Sequence, residues 1–154
     1  MPPVLYRLAH GVRRRVFRLL NRHTRGAKVI AVNAAGEVLL VRNSYGRRHL
    51  WVLPGGAIGR GEEPAAAAAR ELREETGLTA GALLPLGTFE TTEEGWRDTV
   101  HVFTTTCSGA PHGDGGEIAA LGFFAPDALP ANASDATQRR IAEWRGERGV
   151  TGVW

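Results

Sequence analysis

The segment 56–78 constrains the fold of this chain more than any other part of the sequence. Pro64 suits the first position of a helix, a run of five alanines follows it, and Gly77 suits the residue at which a helix ends. Glycines 55, 56, 59 and 61 precede this run. The segment therefore predicts a glycine-rich loop followed by a helix that begins at Pro64 and ends before Gly77.

Three carboxylates lie near the end of this predicted helix. Glu71, Glu74 and Glu75 follow the spacing i, i+3, i+4, which places them on one face. They repel one another, and the negative pole of the helix dipole adds to the cost. A divalent cation removes that cost, and Mg2+ prefers a few carboxylate oxygens while keeping waters that reach phosphate. The pattern predicts a site for a divalent cation and the phosphates it carries.

The same residues match a known motif. The segment resembles the Nudix box, Gly-x5-Glu-x7-Arg-Glu-U-x-Glu-Glu-x-Gly-U, in which U is a bulky apolar residue. Every defined position is filled at the right spacing, by Gly56, Glu62, Arg70, Glu71, Leu72, Glu74, Glu75, Gly77 and Leu78. The resemblance extends upstream over residues 51–56 and downstream to Glu117, Ile118, Phe123 and Phe124. A charged, solvated helix is the alternative, and the paired glycines and fixed offsets speak against it.

The resemblance implies a fold and an activity. The implied fold is an α/β protein of the Nudix type, an α/β/α sandwich around a mixed sheet. The implied reaction is metal-dependent hydrolysis of a pyrophosphate bond in a nucleoside diphosphate linked to another moiety. A nucleotide, a nucleotide sugar or a dinucleoside polyphosphate would be the substrate. Mg2+ is the expected cofactor, with Mn2+ as a substitute.

Roles for individual residues follow from the same resemblance. The implied metal site comprises the Gly56 carbonyl, Glu71, Glu74, Glu75 and Glu117. The implied catalytic residues are Arg70, Glu71, Glu74 and Glu117. Glu71 would be either a ligand or the general base, Arg70 would brace the carboxylates, and Glu62 would tie the loop to the helix through that arginine.

Glu117 is the candidate outside the box. It follows the glycine-rich run 113–116, which resembles the segment from which some family members supply a further acidic ligand or base. Asp114, Glu93 and Glu94 are weaker rivals in other loop positions. A solvated loop carboxylate is the alternative interpretation of Glu117.

Substrate-binding residues are less constrained by the sequence. Arg42 and Arg48, with Arg47 and His49 beside them, flank the approach to Trp51 and are candidates for binding phosphates. Trp51 and Trp96 are candidates for stacking on a nucleobase, although tryptophans near strands more often serve packing. Neither the proline typical of ADP-ribose hydrolases nor the tyrosine typical of diadenosine polyphosphate hydrolases stands at its usual distance after the box. The substrate therefore stays open.

The first part of the chain is strongly basic. Residues 1–36 contain eight basic residues and no acidic one, whereas the other 11 basic residues share the rest of the chain with all 16 acidic ones. Residues 4–22 have an apolar stripe at helical spacing and arginines on the other side, which predicts an amphipathic basic helix. We assign residues 1–25 to this extension and residues 26–154 to the Nudix domain. The helix would dock on the domain, contact an anionic surface or nucleic acid, or act as a transit peptide, and the absence of serine from it counts against the last.

The remaining elements are predicted from local patterns. We expect strands at 28–33, 38–42, 51–53, 83–90, 99–106 and 118–124, with Pro54, Gly55 and Gly56 ending the third. A final helix is expected at 135–144, capped by Ser134 and ended by Gly146. Cys107 is the only cysteine, which favours a reducing compartment and a cytoplasmic protein. A homodimer is compatible with the sequence.

Two other functions compete with nucleotide hydrolysis. The domain could bind a nucleotide as a sensor without turning it over, but a pure binding module gains nothing from a complete and mutually repelling set of glutamates. It could instead hydrolyse the 5′ end of RNA, with the basic extension holding the polynucleotide.

Overall fold

The computed structural model describes residues 23–93 and 96–154. The strands in these residues are β1 His23–Val32, β2 Val38–Asn43, β3 Gly55–Ala57, β4 Thr79–Ala80, β5 Leu84–Glu93, β6 Trp96–Ser108 and β7 Ile118–Phe124. The helices are α1 Pro64–Thr76 and α2 Asp135–Trp144. The amphipathic helix predicted at 4–22 lies outside the described residues. None of the described helices has the length and apolar character needed to span a membrane.

Strands β1 and β6 form the centre of a mixed sheet. They run parallel, in continuous register from His23 opposite Arg97 to Val32 opposite Thr106. Within the described residues the other pairings are antiparallel: β2 and β3 pair with β1, β4 and β5 pair with β6, and β7 pairs with β2. The prediction of a mixed sheet is confirmed.

The sheet buries apolar residues on both of its faces. Along β1, Ala27, Val29 and Ala31 point to one side, where they pack with Ala67 and Leu72 of α1. Side chains of β1 that point the other way enter a second cluster, which includes Ile30, Leu40, Val102 and Ile141 of α2. Strand alternation thus gives each helix its own core, and the predicted sandwich is confirmed.

Both helices begin and end where the sequence predicts. Gly77 adopts a left-handed conformation, with φ of 72°, and its N–H donates to the Arg73 carbonyl to close α1. At the start of α2, the Ser134 hydroxyl accepts a hydrogen bond from the Thr137 N–H. Trp144 packs against the same cluster as Ile141, as expected for one buried helix face.

The region around Gly55 differs from the prediction. Trp51 and Val52 make only isolated bridges, and the residues expected to end a strand form β3 instead. The reason is a close backbone approach, because a Cβ on Gly55 would lie 2.0 Å from the Ala27 carbonyl oxygen. Gly55 also has a φ of +144°, a backbone conformation that residues other than glycine rarely adopt. The glycines therefore extend the sheet here and do not interrupt it.

The bounds of other strands also differ. Strand β1 begins at His23, five residues before the predicted start, and β6 is longer at both ends than predicted. The short strand β4, which pairs with the end of β6, was not predicted. Strand β7 has the predicted bounds.

Candidate active site

Arg70 is the centre of an ionic network on α1. Its Nε and Nη2 donate to the two carboxylate oxygens of Glu62 at 2.7 and 2.9 Å, a two-point contact. Nη1 donates to Glu71 at 2.7 Å and to Glu74 at 3.3 Å. Nη2 also donates to the Ala57 carbonyl at 3.1 Å. One guanidinium thus binds three carboxylates of the box and the end of β3.

The contact between Arg70 and Glu62 fixes the loop before α1. The hydrogen bond from Arg70 lowers the pKa of Glu62, and the same contact raises the pKa of Arg70. Glu62 also accepts a hydrogen bond of 2.7 Å from the Gly59 N–H. The expected contact between the loop and the helix, from Glu62 to Arg70, is therefore observed.

The three helix carboxylates differ in burial. Glu71 has no exposed surface and Glu75 is 6% exposed, whereas the Glu74 side chain is 41% exposed. Glu75 turns toward the sheet, where its Oε2 accepts the Gly55 N–H at 2.9 Å. Carboxylates are rarely buried unless a cation or hydrogen-bond donors neutralise them. Arg70 and the Gly55 N–H are such donors here. The two buried carboxylates, four residues apart on one helix, are also hard oxygen ligands of the kind that a divalent cation takes.

These side chains do not form a ready-made cage. Among the described residues, no three acidic, histidine or cysteine side chains are grouped so as to hold a metal ion. Arg70 binds Glu71 and Glu74 on one side, and Gly55 binds Glu75 on the other. The metal-ligand roles of Gly56, Glu71, Glu74, Glu75 and Glu117 stay predictions.

Lys28 of β1 contacts the backbone at the start of β3. Its ammonium donates to the carbonyl oxygens of Leu53 at 3.1 Å and Gly55 at 3.4 Å. The residues on either side of it in β1, Ala27 and Val29, are fully buried. No role was predicted for Lys28 from the sequence, although a lysine placed between buried strand residues is a usable signal for a side chain that turns toward the backbone.

Glu117 lies immediately before β7, in the connection from β6. The N–H of His112 in this connection donates to the Thr76 carbonyl, the last residue of α1, at 2.8 Å. Asp114 accepts hydrogen bonds from the N–H groups of Gly116 and Ile118. Asp114, a weaker candidate than Glu117 for the additional acidic residue, therefore stabilises the backbone of the loop. Of the other rivals, Glu93 is the last residue of β5 and Glu94 lies outside the described residues.

The structure brings together two of the predicted substrate-binding residues. The Arg42 guanidinium lies 5.2 Å from the centre of the Trp51 ring, a cation–π distance. The Arg42 Nε is buried and has no hydrogen-bond partner among the described residues. Trp51 packs edge-on against Phe124 at 4.9 Å, so this tryptophan also has a packing role.

The structure gives less information on Arg48 and Trp96, the other two candidate substrate-binding residues. Arg48 is exposed in the loop after β2. Trp96 is the first residue of β6 and its backbone pairs with Glu93; its side chain lies outside the description. The substrate-binding roles of Arg42, Arg48, Trp51 and Trp96 stay predictions.

Comparison with known proteins connects this geometry to a family. The NUDIX domain model matches residues 22–145. A Bacillus subtilis protein named as a candidate 8-oxo-dGTP diphosphatase is 33% identical over 124 residues, which cover 80% of each chain. An ADP-ribose pyrophosphatase of the same organism is 36% identical over 84 residues, 53% of this chain and 45% of that protein.

A solved structure has the same fold. The MutT NUDIX hydrolase from Burkholderia pseudomallei superposes with a TM-score of 0.72 at 26% identity, over 80% of this chain and 98% of that one. The NUDIX domain model spans the strands of the sheet, the box helix and α2. The chain therefore belongs to the Nudix hydrolase family and is a pyrophosphohydrolase of the Nudix type.

Proposed function

We propose that this enzyme uses a divalent cation, preferably Mg2+, to hydrolyse the pyrophosphate bond of a nucleoside diphosphate linked to another moiety. The observation that carries the proposal is the buried pair Glu71 and Glu75, which lies beside the exposed carboxylate of Glu74 on one helix. Members of the family generally use divalent metals, and the donors present here are hard oxygens of the kind that Mg2+ prefers. Mn2+ is expected to substitute.

The residues of the chain would divide the chemistry among them. Glu71, Glu74 and Glu75 would hold the cation, which withdraws charge from phosphoryl oxygens and lowers the pKa of a bound water. Arg70 keeps Glu71 and Glu74 in one orientation, because its planar guanidinium binds both at once. A carboxylate then accepts the proton of the attacking water, and Glu71 and Glu117 are the two candidates for this step.

We propose nucleoside triphosphates as the first class of substrate to test. The relative named for 8-oxo-dGTP matches 80% of this chain, whereas the match to the ADP-ribose pyrophosphatase covers 53%. The proline typical of ADP-ribose hydrolases is also missing from its place after the box. The half-buried pair of Arg42 and Trp51 is a candidate contact for the phosphate and base of such a nucleotide.

A product analysis tests the proposal. The purified protein is incubated with Mg2+, Mn2+ or EDTA and a panel of nucleoside triphosphates, including 8-oxo-dGTP, with nucleotide sugars, dinucleoside polyphosphates and capped RNA. Products are resolved by mass in 18O-labelled water, which marks the attacked phosphorus. We expect metal-dependent release of a nucleoside monophosphate. Binding of a nucleotide without turnover of any compound would favour the sensor function instead.

Two variants connect turnover to the helix carboxylates. Glu71→Gln keeps the shape of the side chain and removes its charge, and we expect turnover to fall about 100-fold or more, the typical loss when a catalytic group is removed. Glu63→Gln is the matched control, because Glu63 is exposed at the start of α1 and its side chain makes no capping hydrogen bond. Equal activities of the two variants would contradict a role for Glu71.

A further inference from the structure

The segment that carries Glu117 is fastened to the end of β2 by one residue. Ser44 directly follows β2, and its Oγ donates to the Gly116 carbonyl at 2.6 Å. Its N–H donates to the Glu117 carbonyl at 2.8 Å. Two successive peptide groups, one on each side of the Glu117 Cα, are therefore held by a single serine.

The same segment is fastened to the box helix at its other end. Besides the bond from the His112 N–H to Thr76, the imidazole of His112 lies against Gly77, where an added Cβ would be 2.2 Å from Nε2. Glu74 and Glu75 lie in the last turn of that helix. The connection from β6 to β7 therefore links the C-terminal end of α1, which carries Glu74 and Glu75, to the end of β2.

Asp114 fixes the middle of the segment. Its Oδ1 accepts the N–H of Gly116 at 2.9 Å and that of Ile118 at 3.0 Å, the residues on either side of Glu117. Gly115 has φ of 77°, a conformation that glycine adopts without strain. Glycines 113, 115 and 116 make this backbone costly to order, so the contacts from Ser44 and Asp114 are what select one conformation.

We propose that Ser44 is a positioning residue for Glu117. It fixes the backbone on both sides of Glu117 and so sets where that carboxylate meets the reacting phosphates. This inference rests on the proposed function, in which Glu117 takes part in pyrophosphate hydrolysis. Ser44 itself touches no reacting atom in this role.

A double-mutant cycle tests the coupling. Ser44→Ala removes the Oγ bond and keeps the N–H bond, and we expect kcat to fall about 10-fold, the effect of one hydrogen bond, with little change in KM. Ser44→Thr keeps the hydroxyl and is expected to restore most of the loss. Ser44→Ala combined with Glu117→Gln should be no slower than Glu117→Gln alone, because Ser44 acts through that carboxylate. Ser108→Ala, an exposed serine at the end of β6, is the control.

A second measurement is independent of turnover. Amide hydrogen exchange of the peptide covering 113–118, in the metal-free protein, should be faster in Ser44→Ala than in wild type and in Ser108→Ala. Unchanged exchange would show that Ser44 does not order the segment and would overturn the inference.

The kinetic outcomes separate this inference from the proposed function. dGTP, ADP-ribose and diadenosine tetraphosphate serve as probes with Mg2+. If wild type hydrolyses none of them and no other compound of the panel, the proposed function fails and the positioning role fails with it. If wild type is active but Ser44→Ala equals Ser108→Ala, or its effect simply adds to that of Glu117→Gln, only the role of Ser44 is refuted.

Discussion

Replacing Arg70 by lysine is expected to destabilise the protein although the positive charge is kept. Arginine binds Glu62 at two points and also reaches Glu71, Glu74 and the Ala57 carbonyl. A lysine ammonium is a single centre on a flexible stem, so it cannot bind Glu62 at two points and Glu71 at the same time. The substitution therefore removes at least two charge-assisted hydrogen bonds.

The size of the loss follows from these contacts. A hydrogen bond to a charged group contributes about 1.5–3 kcal/mol. The Arg70 side chain is 34% exposed, which allows solvent to screen the network and puts each bond near the lower limit. Two bonds at that limit give a loss of about 3 kcal/mol in the free energy of unfolding. Glu71, which is fully buried, is the carboxylate that suffers most when its partner is weakened.

Urea unfolding in EDTA measures this loss without interference from metal. At a slope of about 1–3 kcal/mol per molar urea, the midpoint should fall by about 1 M or more. Arg73→Lys is the matched control, since Arg73 is exposed on the same helix, and its effect should stay within about 0.5 kcal/mol. Equal midpoints for the two variants would refute the reasoning that the guanidinium geometry stabilises the site.

Three further predictions concern stability. Glu62 has a pKa below its usual 4.5, so its contribution is present above that pH and is lost as the pH falls through the lowered value; urea unfolding should show Glu62→Gln destabilising at pH 7 and progressively less so in acid. Gly77→Ala forces a side chain into a left-handed conformation and against His112, and its melting temperature should fall more than that of Gly36→Ala, a glycine of similar φ with open space around it. Arg140 and Glu143 of α2 form a fully buried ion pair, with the Arg140 Nε 2.7 Å from the Glu143 Oε2. Glu143→Gln removes the charge partner of Arg140 and should cost about 3–5 kcal/mol, whereas the double replacement Arg140→Met with Glu143→Leu should cost less. A double replacement less stable than the single one in urea would contradict that account.

The parts of the fold that the sequence predicted well are those set by local interactions. Pro64 and Gly77 define α1 because each acts on the backbone at its own position, and Ser134 defines α2 in the same way. The contact between Glu62 and Arg70 was expected from the resemblance to the Nudix box, and it spans only eight residues and one helix start. Local signals of this kind do not depend on how the sheet is assembled.

The parts that escaped prediction are contacts between distant segments. Strand β3 exists because Gly55 closely approaches Ala27 in another strand. The bond from Gly55 to Glu75 spans 20 residues, and the one from Ser44 to Gly116 spans 72. A single sequence carries no periodicity or spacing that joins such pairs, so they emerge only from the three-dimensional arrangement.

The parallel pairing of β1 with β6 has a consequence for the order of folding. Paired residues of these strands are 74 positions apart, and the whole of α1 lies in the intervening chain. Closing a loop of this length costs chain entropy before any strand contact compensates for it, so such pairings form slowly. A 13-residue helix is marginal in isolation, and α1 is stabilised by packing on β1 and on β3 and β4, which pair with β1 and β6. Recovery of turnover during refolding would therefore report closure of the central strand pair.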